Sequence, residues 1–507
     1  MSAATALSST SSVFPAFRLK VEQSRAEFAR MESWMLSEEA LRLPLDAVER
    51  EQERRSREAN RLLLQAHIQA RGNGDVGPAL AVVPKGGDGV VRLHSHRREQ
   101  VRHVQTVFGE VEIVRAGYGA EGAASVHPLD AALALPQRFY SYELQRRLAK
   151  AAVQGPFEEA VERIEEATGV TVPKRSAEEM LKEAAVDFDV FYAERRSPPP
   201  QETGPIVVGA IDGKGIPMVK PEKALRVLRR GKGKKANKKR MATVAAVFTQ
   251  PPRVRTPEEV VESLFRTEPL IADEDDRSVR IRPEHKRIWA SLEKTKDEVI
   301  AEAGAEMARR DPGRAKKHVV VTDGERALQK RVASLIPKAL LILDLLHVMQ
   351  YLWKAAYVFH TENSPEAAAW VKERALRILR GGVSQVVKGL RQSVTKRRLR
   401  GPRRETLLGV AGYFYRNKSR MRYHEYLAAG LPIASGAVEG ACRNLINDRM
   451  ERSGMRWTVK GAEAMVRLRA AYLCGDFEEY WTFHLRKDQE RLHSPGRWKP
   501  VPAVVVK

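Results

Sequence analysis

The sequence predicts a multidomain α+β and α/β chain, and three observations carry that prediction. Its 507 residues exceed what one hydrophobic core usually serves, so roughly two to four domains are expected. In the middle of the chain, continuous apolar runs alternate with helical periodicity, the pattern of a sheet covered on both faces. A proline-rich stretch from Arg196 to Pro205 separates that region from an N-terminal part in which helical and short alternating patterns follow one another.

Residues 28–72 are rich in Glu, Arg, Ala and Leu, pair apolar residues at helical spacing (Leu45 with Val48, Leu64 with Ile68) and stop at the breaker RGNGD. They predict a helical N-terminal region within 1–90. Residues 91–195 follow, opening with HVQTVFGEVEIVR (103–115). These are two alternating segments joined at Gly109-Glu110, which predict a β-hairpin. From Phe157 to Leu181 the pattern gives a helix, a turn at Gly169 to Pro173 and a second helix. Two readings of this pair stand open: a helix-turn-helix whose DNA-reading helix begins near Lys174 and Arg175, or an ordinary helical hairpin.

Residues 196–204 are the linker, and 205–352 hold the strands: Ile206–Ile211, Met241–Thr249, Lys317–Thr322 and the start of Ala339–Trp353, which runs on into a helix. Residues 353–430 read as an all-helical insertion, 431–485 return to the core, and 486–507 form a tail.

Lys and Arg total 88 against 64 Asp and Glu, a net charge of +24 with a pI near 10.0. Such a balance points to a polyanionic partner, nucleic acid first. No long uncharged apolar run suggests a membrane span, and the N-terminus lacks the basic-then-apolar order of a secretory signal, so a cytoplasmic location is expected. Two cysteines, Cys442 and Cys474, exclude a disulfide framework and a multi-cysteine zinc site within one chain.

Three acids stand out. Asp212 follows the apolar run IVVGAI and precedes Gly213, and Asp323 repeats the arrangement after VVVT and before Gly324. Asp-Gly is a common way to leave a strand, so each alone reads equally as a turn. The third, Glu439, sits in SGAVEGACRNLI (435–446). There Ser435 is placed to cap a helix with the apolar stripe Val438, Cys442, Leu445 and Ile446. Glu439 and Arg443 are four residues apart, the spacing of a surface ion pair. Gly436 and Gly440 are poor helix residues, which suits a place that something bulky approaches.

Taken in order, DGKGIPM (212–218), TDGERALQ (322–329), DLLHV (344–348) with YLWKAA (351–356), SGAVEGACR (435–443) and then DRM with Arg456-Trp457 resemble a bacterial insertion-sequence transposase of the ISKra group. That group belongs to the Mutator-like DDE transposases. The resemblance spans roughly residues 100 to 485. It implies an RNase H-like mixed sheet flanked by helices, an all-helical insertion before the last acid, and a DNA-binding N-terminal region. It also implies Asp212, Asp323 and Glu439 as the DDE acids and metal ligands. Asp344 and His347 match its Asp-x-x-His signature as accessory residues, or are a helix cap and a packed histidine. Trp457 matches an element after the glutamate, or is a core tryptophan. Relatives with a cysteine knuckle differ here, since 116–128 contain no cysteine.

The chemistry implied is phosphodiester cleavage and strand transfer at two Mg²⁺ or Mn²⁺ ions, for which three oxygen ligands suit hard cations. Basic residues surround the acids. Arg229, Arg230, Lys232, Lys234, Lys235, Lys238, Lys239 and Arg240 follow the first acid, and Lys396, Arg397 and Arg398 lie in the insertion. Each group reads as a solvated loop or as a DNA-tracking surface. The expected partners are the element's terminal repeats, target DNA and further copies of the chain on paired ends. The expected setting is a prokaryotic, nucleoid-associated one. The rival readings are an RNase H-like nuclease or resolvase, and a basic DNA-binding protein without catalysis.

Overall fold

The computed structural model describes residues 13–82, 91–121, 125–219, 239–266, 282–452, 454–493 and 498–501. It is a mixed α+β architecture with two sheets. The chain divides into two compact units, one formed by Met1–Ala193 with Asp476–Lys507 and the other by Glu194–Gly475. The division therefore falls at the start of the proline-rich stretch, and residues expected as core end and tail (476–507) return to the first unit.

In the first unit, the helices Val13–Met35 and Leu45–Ala70 pack on one another. Strands β1 (Ala79–Val82), β2 (Val91–Thr106) and β3 (Gly109–Gly119) form an antiparallel sheet, which Trp498–Pro500 completes against β1. The expected hairpin is present but its turn is Val107-Phe108. Thr106 pairs with Gly109, whose φ of 116° only glycine adopts readily, so the glycine opens the second strand. The helices Tyr142–Ala152, Phe157–Thr168 and Lys174–Ala184 pack mutually, and Gly169 closes the middle one in the left-handed region. Helix Phe477–His493 is pinned where Asp187 accepts from His484 (2.7 Å) and Arg491 (2.6 Å). Burial raises the Asp187 carboxyl, but the hydrogen bonds from His484 and Arg491 overcome it and hold it down at about 2.

The second unit is built on five strands, β4 (Ile206–Pro217), β5 (Lys239–Gln250), β6 (Glu284–Ser291), β7 (Lys317–Thr322) and β8 (Leu340–Leu343). They lie in the order β6-β5-β4-β7-β8, with β4, β5 and β6 antiparallel and β4, β7 and β8 parallel. Both faces are apolar, as continuous runs of Val, Ile and Ala require. On one face Val208, Val319, Val321 and Ile342 share a core with Val371, Ile378, Leu390, Leu407 and Phe414. The helical insertion is thus part of the sheet's own core. On the other face the helix Lys296–Arg309 packs against β4 and β5. Strand β6 was not anticipated, because EHKRIWAS mixes charge into its first half and buries only its second.

Candidate functional site

The parallel half of the sheet aligns three acids. Ile211 pairs with Thr322, and Thr322 with Leu343, so the next residues, Asp212, Asp323 and Asp344, stand in one row where the parallel ladder ends. Neighbouring strands are about 4.8 Å apart, which puts consecutive members of the row side by side. Ends of parallel strands at this level are where open α/β sheets present ligand-binding groups. Asp212 departs from expectation in one respect. It does not end its strand, because β4 continues to Pro217 against β5, with Asp212 opposite Val244.

The row is not uniform. Asp344 is 2% exposed, accepts from Leu346 N at 2.9 Å as the cap of helix Leu345–Ala356, and receives the Ser435 hydroxyl. Ser435 is thereby diverted from the capping role expected of it, and no side chain caps the helix Gly436–Ala441 that carries Glu439. Asp344 is therefore a positioning residue that ties the end of β8 to the loop before Glu439. His347, one turn further along its helix, is half-buried and lines a cleft with Asp323.

Asp212 and Asp323 each hold a single backbone donor: Gly213 N–H on Asp212 at 2.7 Å and Glu325 N–H on Asp323 at 3.0 Å. Among the described residues neither forms an ion pair with Lys or Arg. Burial pushes the Asp323 carboxyl above the usual range, the nearby Asp212 charge pushes the same way, and the Glu325 amide and His347 oppose.

Glu439 is exposed, and its helix packs against β4 and β5. The link to Asp212 is Cys442, whose thiol donates to Asp212 Oδ2 at 3.4 Å. Burial raises that thiol well above its usual range, and the charges of Asp212 and Glu439 raise it further. Three residues after Glu439 the chain winds into a π-helical turn, Cys442–Asn447, a widened geometry frequent at functional sites. Among the described residues Glu439 and Arg443 form no ion pair, so the expected surface pair is absent, and Arg443 is exposed. A Cβ on Gly436 or Gly440 would meet nothing within 4 Å, so both glycines face open space. Among the described residues no three His, Cys, Asp or Glu side chains are grouped closely enough to hold a metal ion.

Trp457 is a core tryptophan, 7% exposed, donating to Met450 O at 3.0 Å with the Arg449 guanidinium 5.0 Å from its ring. Its backbone also bonds Pro217 and Val219, so the end of β4 is fastened to the segment following Glu439. Of the basic residues, Arg229, Arg230, Lys232, Lys234, Lys235 and Lys238 lie outside the described residues. Lys239 pairs with Glu451 at 2.5 Å, and Arg240 donates to Leu292 O at 3.1 Å. Lys396, Arg397 and Arg398 are exposed at the end of helix Val383–Lys396. In the first unit Lys174 pairs with Glu158, and Arg175 is exposed. The helix they open also carries Glu178, Glu179 and Glu183, which offset Lys174, Arg175 and Lys182.

Tyr351, Tyr413 and Arg416 also line the Asp323 cleft. Nothing in the sequence marks Tyr413, which is brought there by a helix about ninety residues downstream. A Cβ at position 324 would collide with its ring, so Gly324 is needed for close approach as well as for the turn.

Neither comparison with protein-family models nor comparison with curated proteins returns a match to this chain, so the geometry carries the functional argument alone. Among the described residues no helix is long and apolar enough to cross a membrane.

Proposed function

We propose that the chain is a DDE transposase of RNase H-like fold that cuts the ends of an insertion sequence and joins them to target DNA. The observation that carries this reading is the adjacency of Asp212 and Asp323 at the end of the parallel ladder, without cationic partners. The sheet order supports it, being the mixed arrangement that the resemblance implies, with an antiparallel pair on one side of β4 and a parallel pair on the other. The charge of +24 supports a polyanionic substrate.

Asp212 and Asp323 fit a hard divalent ion, because they are adjacent oxygen donors whose mutual repulsion a cation relieves. Mg²⁺ or Mn²⁺ bound there supplies Lewis acidity toward the attacking and leaving oxygens. Glu439 would be the third ligand in this reading. Asp344 and Ser435 hold the base of the Gly436–Asn447 segment, while Trp457 fixes its far side. Lys239, Arg240 and the Lys396–Arg398 cluster place the DNA backbone without reading sequence. Assembly of two or more copies on paired ends, in a prokaryotic nucleoid, completes the proposal.

The test is nicking and strand transfer with Mg²⁺ on DNA carrying the repeats that flank the gene. Asp323→Asn and Glu439→Gln are expected to lose a thousandfold or more in rate while retaining DNA binding. Variants that cut as well as wild type would sink the reading. Cutting without strand transfer would move it to a nuclease or resolvase.

A further inference from the structure

Asp323 lines one side of a pocket of about 500 Å³ whose other lining residues the metal chemistry does not use. Its floor is the turn Asp323–Arg326, where the helix Arg326–Leu335 begins with Glu325 in the cap position and no side chain bonded to its first amides. Free amides at a helix start attract anions. Its wall is the pair Tyr351 and Tyr413, stacked with ring centroids 3.8 Å apart and planes 9° apart. Tyr413 is 6% exposed, and its buried hydroxyl lies against the Gly324 backbone. Around the rim, the side chains of Arg326, Arg416 and His347 form no hydrogen bond or ion pair among the described residues.

We infer that this pocket seats one nucleotide of a DNA strand. Its phosphate is held by Arg326, Arg416 and the helix amides, and its base lies against the tyrosine pair. Three side-chain donors without partners and an aromatic wall match the two halves of a nucleotide, and a bare anion would leave the wall unused. Glu325 does not oppose the phosphate at full strength, because Lys296 lies 3.4 Å from it. The inference rests on the reading of this unit as a strand-processing core and specifies how the strand is gripped next to the acids.

The test uses the full chain in EDTA, where no chemistry contributes, and a single-stranded oligonucleotide containing 2-aminopurine. Wild type is expected to bind it and quench the fluorescent base. Charge reversal at two exposed positions, Arg326→Glu with Arg416→Glu, is expected to weaken binding tenfold or more and to flatten its salt dependence. Tyr351→Leu should weaken binding about tenfold and abolish the quench, with Tyr351→Phe restoring both. Thymidine 5′-monophosphate should displace the oligonucleotide at concentrations where inorganic phosphate of equal ionic strength does not. Affinity within twofold of wild type in both the arginine and the leucine variants overturns the inference, as does equal competition by phosphate. The two readings fail separately. A protein that quenches through Tyr351 but never cuts DNA keeps the pocket and loses the transposase. One that cuts while these variants bind and cut normally keeps the transposase and loses the pocket.

Discussion

Glu306 and Asp323 belong to the same unit, and both withdraw a carboxylate from water, yet their surroundings push them in opposite directions. Glu306, 5% exposed, accepts from Arg287 at 2.6 Å and from Arg310 at 2.9 Å and also pairs with Arg309. Burial alone would raise it, but the three guanidinium groups overcome burial and bring it down to about 2. Asp323 has a backbone amide and a distant histidine against burial and a second carboxylate, and it is raised. One acid is neutralised by the protein itself. The other is left wanting a cation, which is costly for stability and useful for binding one.

The largest effect expected from breaking this contrast is at Glu306. Glu306→Gln keeps the volume and removes the charge, leaving Arg310, 3% exposed, without its carboxylate. Truncating one side of a buried ion pair costs about 3–5 kcal/mol, measurable as a fall in the urea midpoint. A loss below about 1 kcal/mol would mean that the cluster is solvated and the contrast is false.

Next in size is the acid limb of stability. Because Glu306 titrates at about 2 in the fold and near its ordinary 4.5 when unfolded, its contribution is complete above the unfolded value. It is then lost as pH falls toward the folded one. The difference amounts to roughly 3 kcal/mol. Unfolding measured from neutral pH down to pH 2 should show this limb in wild type and a shallower one in Glu306→Gln. Asp323 has the opposite sign: its ionisation weighs against folding at neutral pH, and that cost disappears on acidification.

The sequence makes the placement of the acids legible but not the contrast between their surroundings, and the illegible part has physical causes. The row of acids was visible because IVVGAI and VVVT end on Asp-Gly, and apolar runs report strands buried on both faces. The continuation of β4 through Asp212 was not visible, because Gly213 and Gly215 read locally as a turn, while in the fold they pair with Thr243 and Met241. The Asp323 environment was also hidden. Tyr413 and Cys442 reach the acids through tertiary packing, and helical periodicity says which face is buried without saying against what. Glu306 gave no signal at all, since one of its three arginines, Arg287, comes from the unanticipated β6. The aligned Asp344, by contrast, reads from the sequence as an accessory acid or a helix cap, and its geometry is that of the cap.

A third effect, smaller than the first two, sharpens the Asp323 side. If the paired acids bind a divalent ion that the unfolded chain does not, then Mg²⁺ at ten times its dissociation constant stabilises the protein by about 1.4 kcal/mol. For a protein of this size that corresponds to a rise of a few degrees in melting temperature. The rise should vanish in Asp212→Asn and persist in Glu306→Gln, whose carboxylate is already satisfied. Equal shifts with Mg²⁺ in wild type and Asp212→Asn would assign the ion to some other place on the chain.

The smallest effect is the one that most directly separates the two acids. Asp323→Asn removes a charge that burial and Asp212 both disfavour, so the metal-free protein should gain stability, where most substitutions lose it. The backbone amide of Glu325 still has an oxygen to donate to, and the volume is unchanged, so the gain isolates the electrostatic term. Adding Mg²⁺ should reverse the ranking, because wild type is stabilised by the ion and the variant is not. Melting curves of both proteins with and without Mg²⁺ would show two lines that cross. Parallel lines, with Asp323→Asn less stable throughout, would mean that the carboxylate is a structural cap on its own turn, as an isolated Asp-Gly would be.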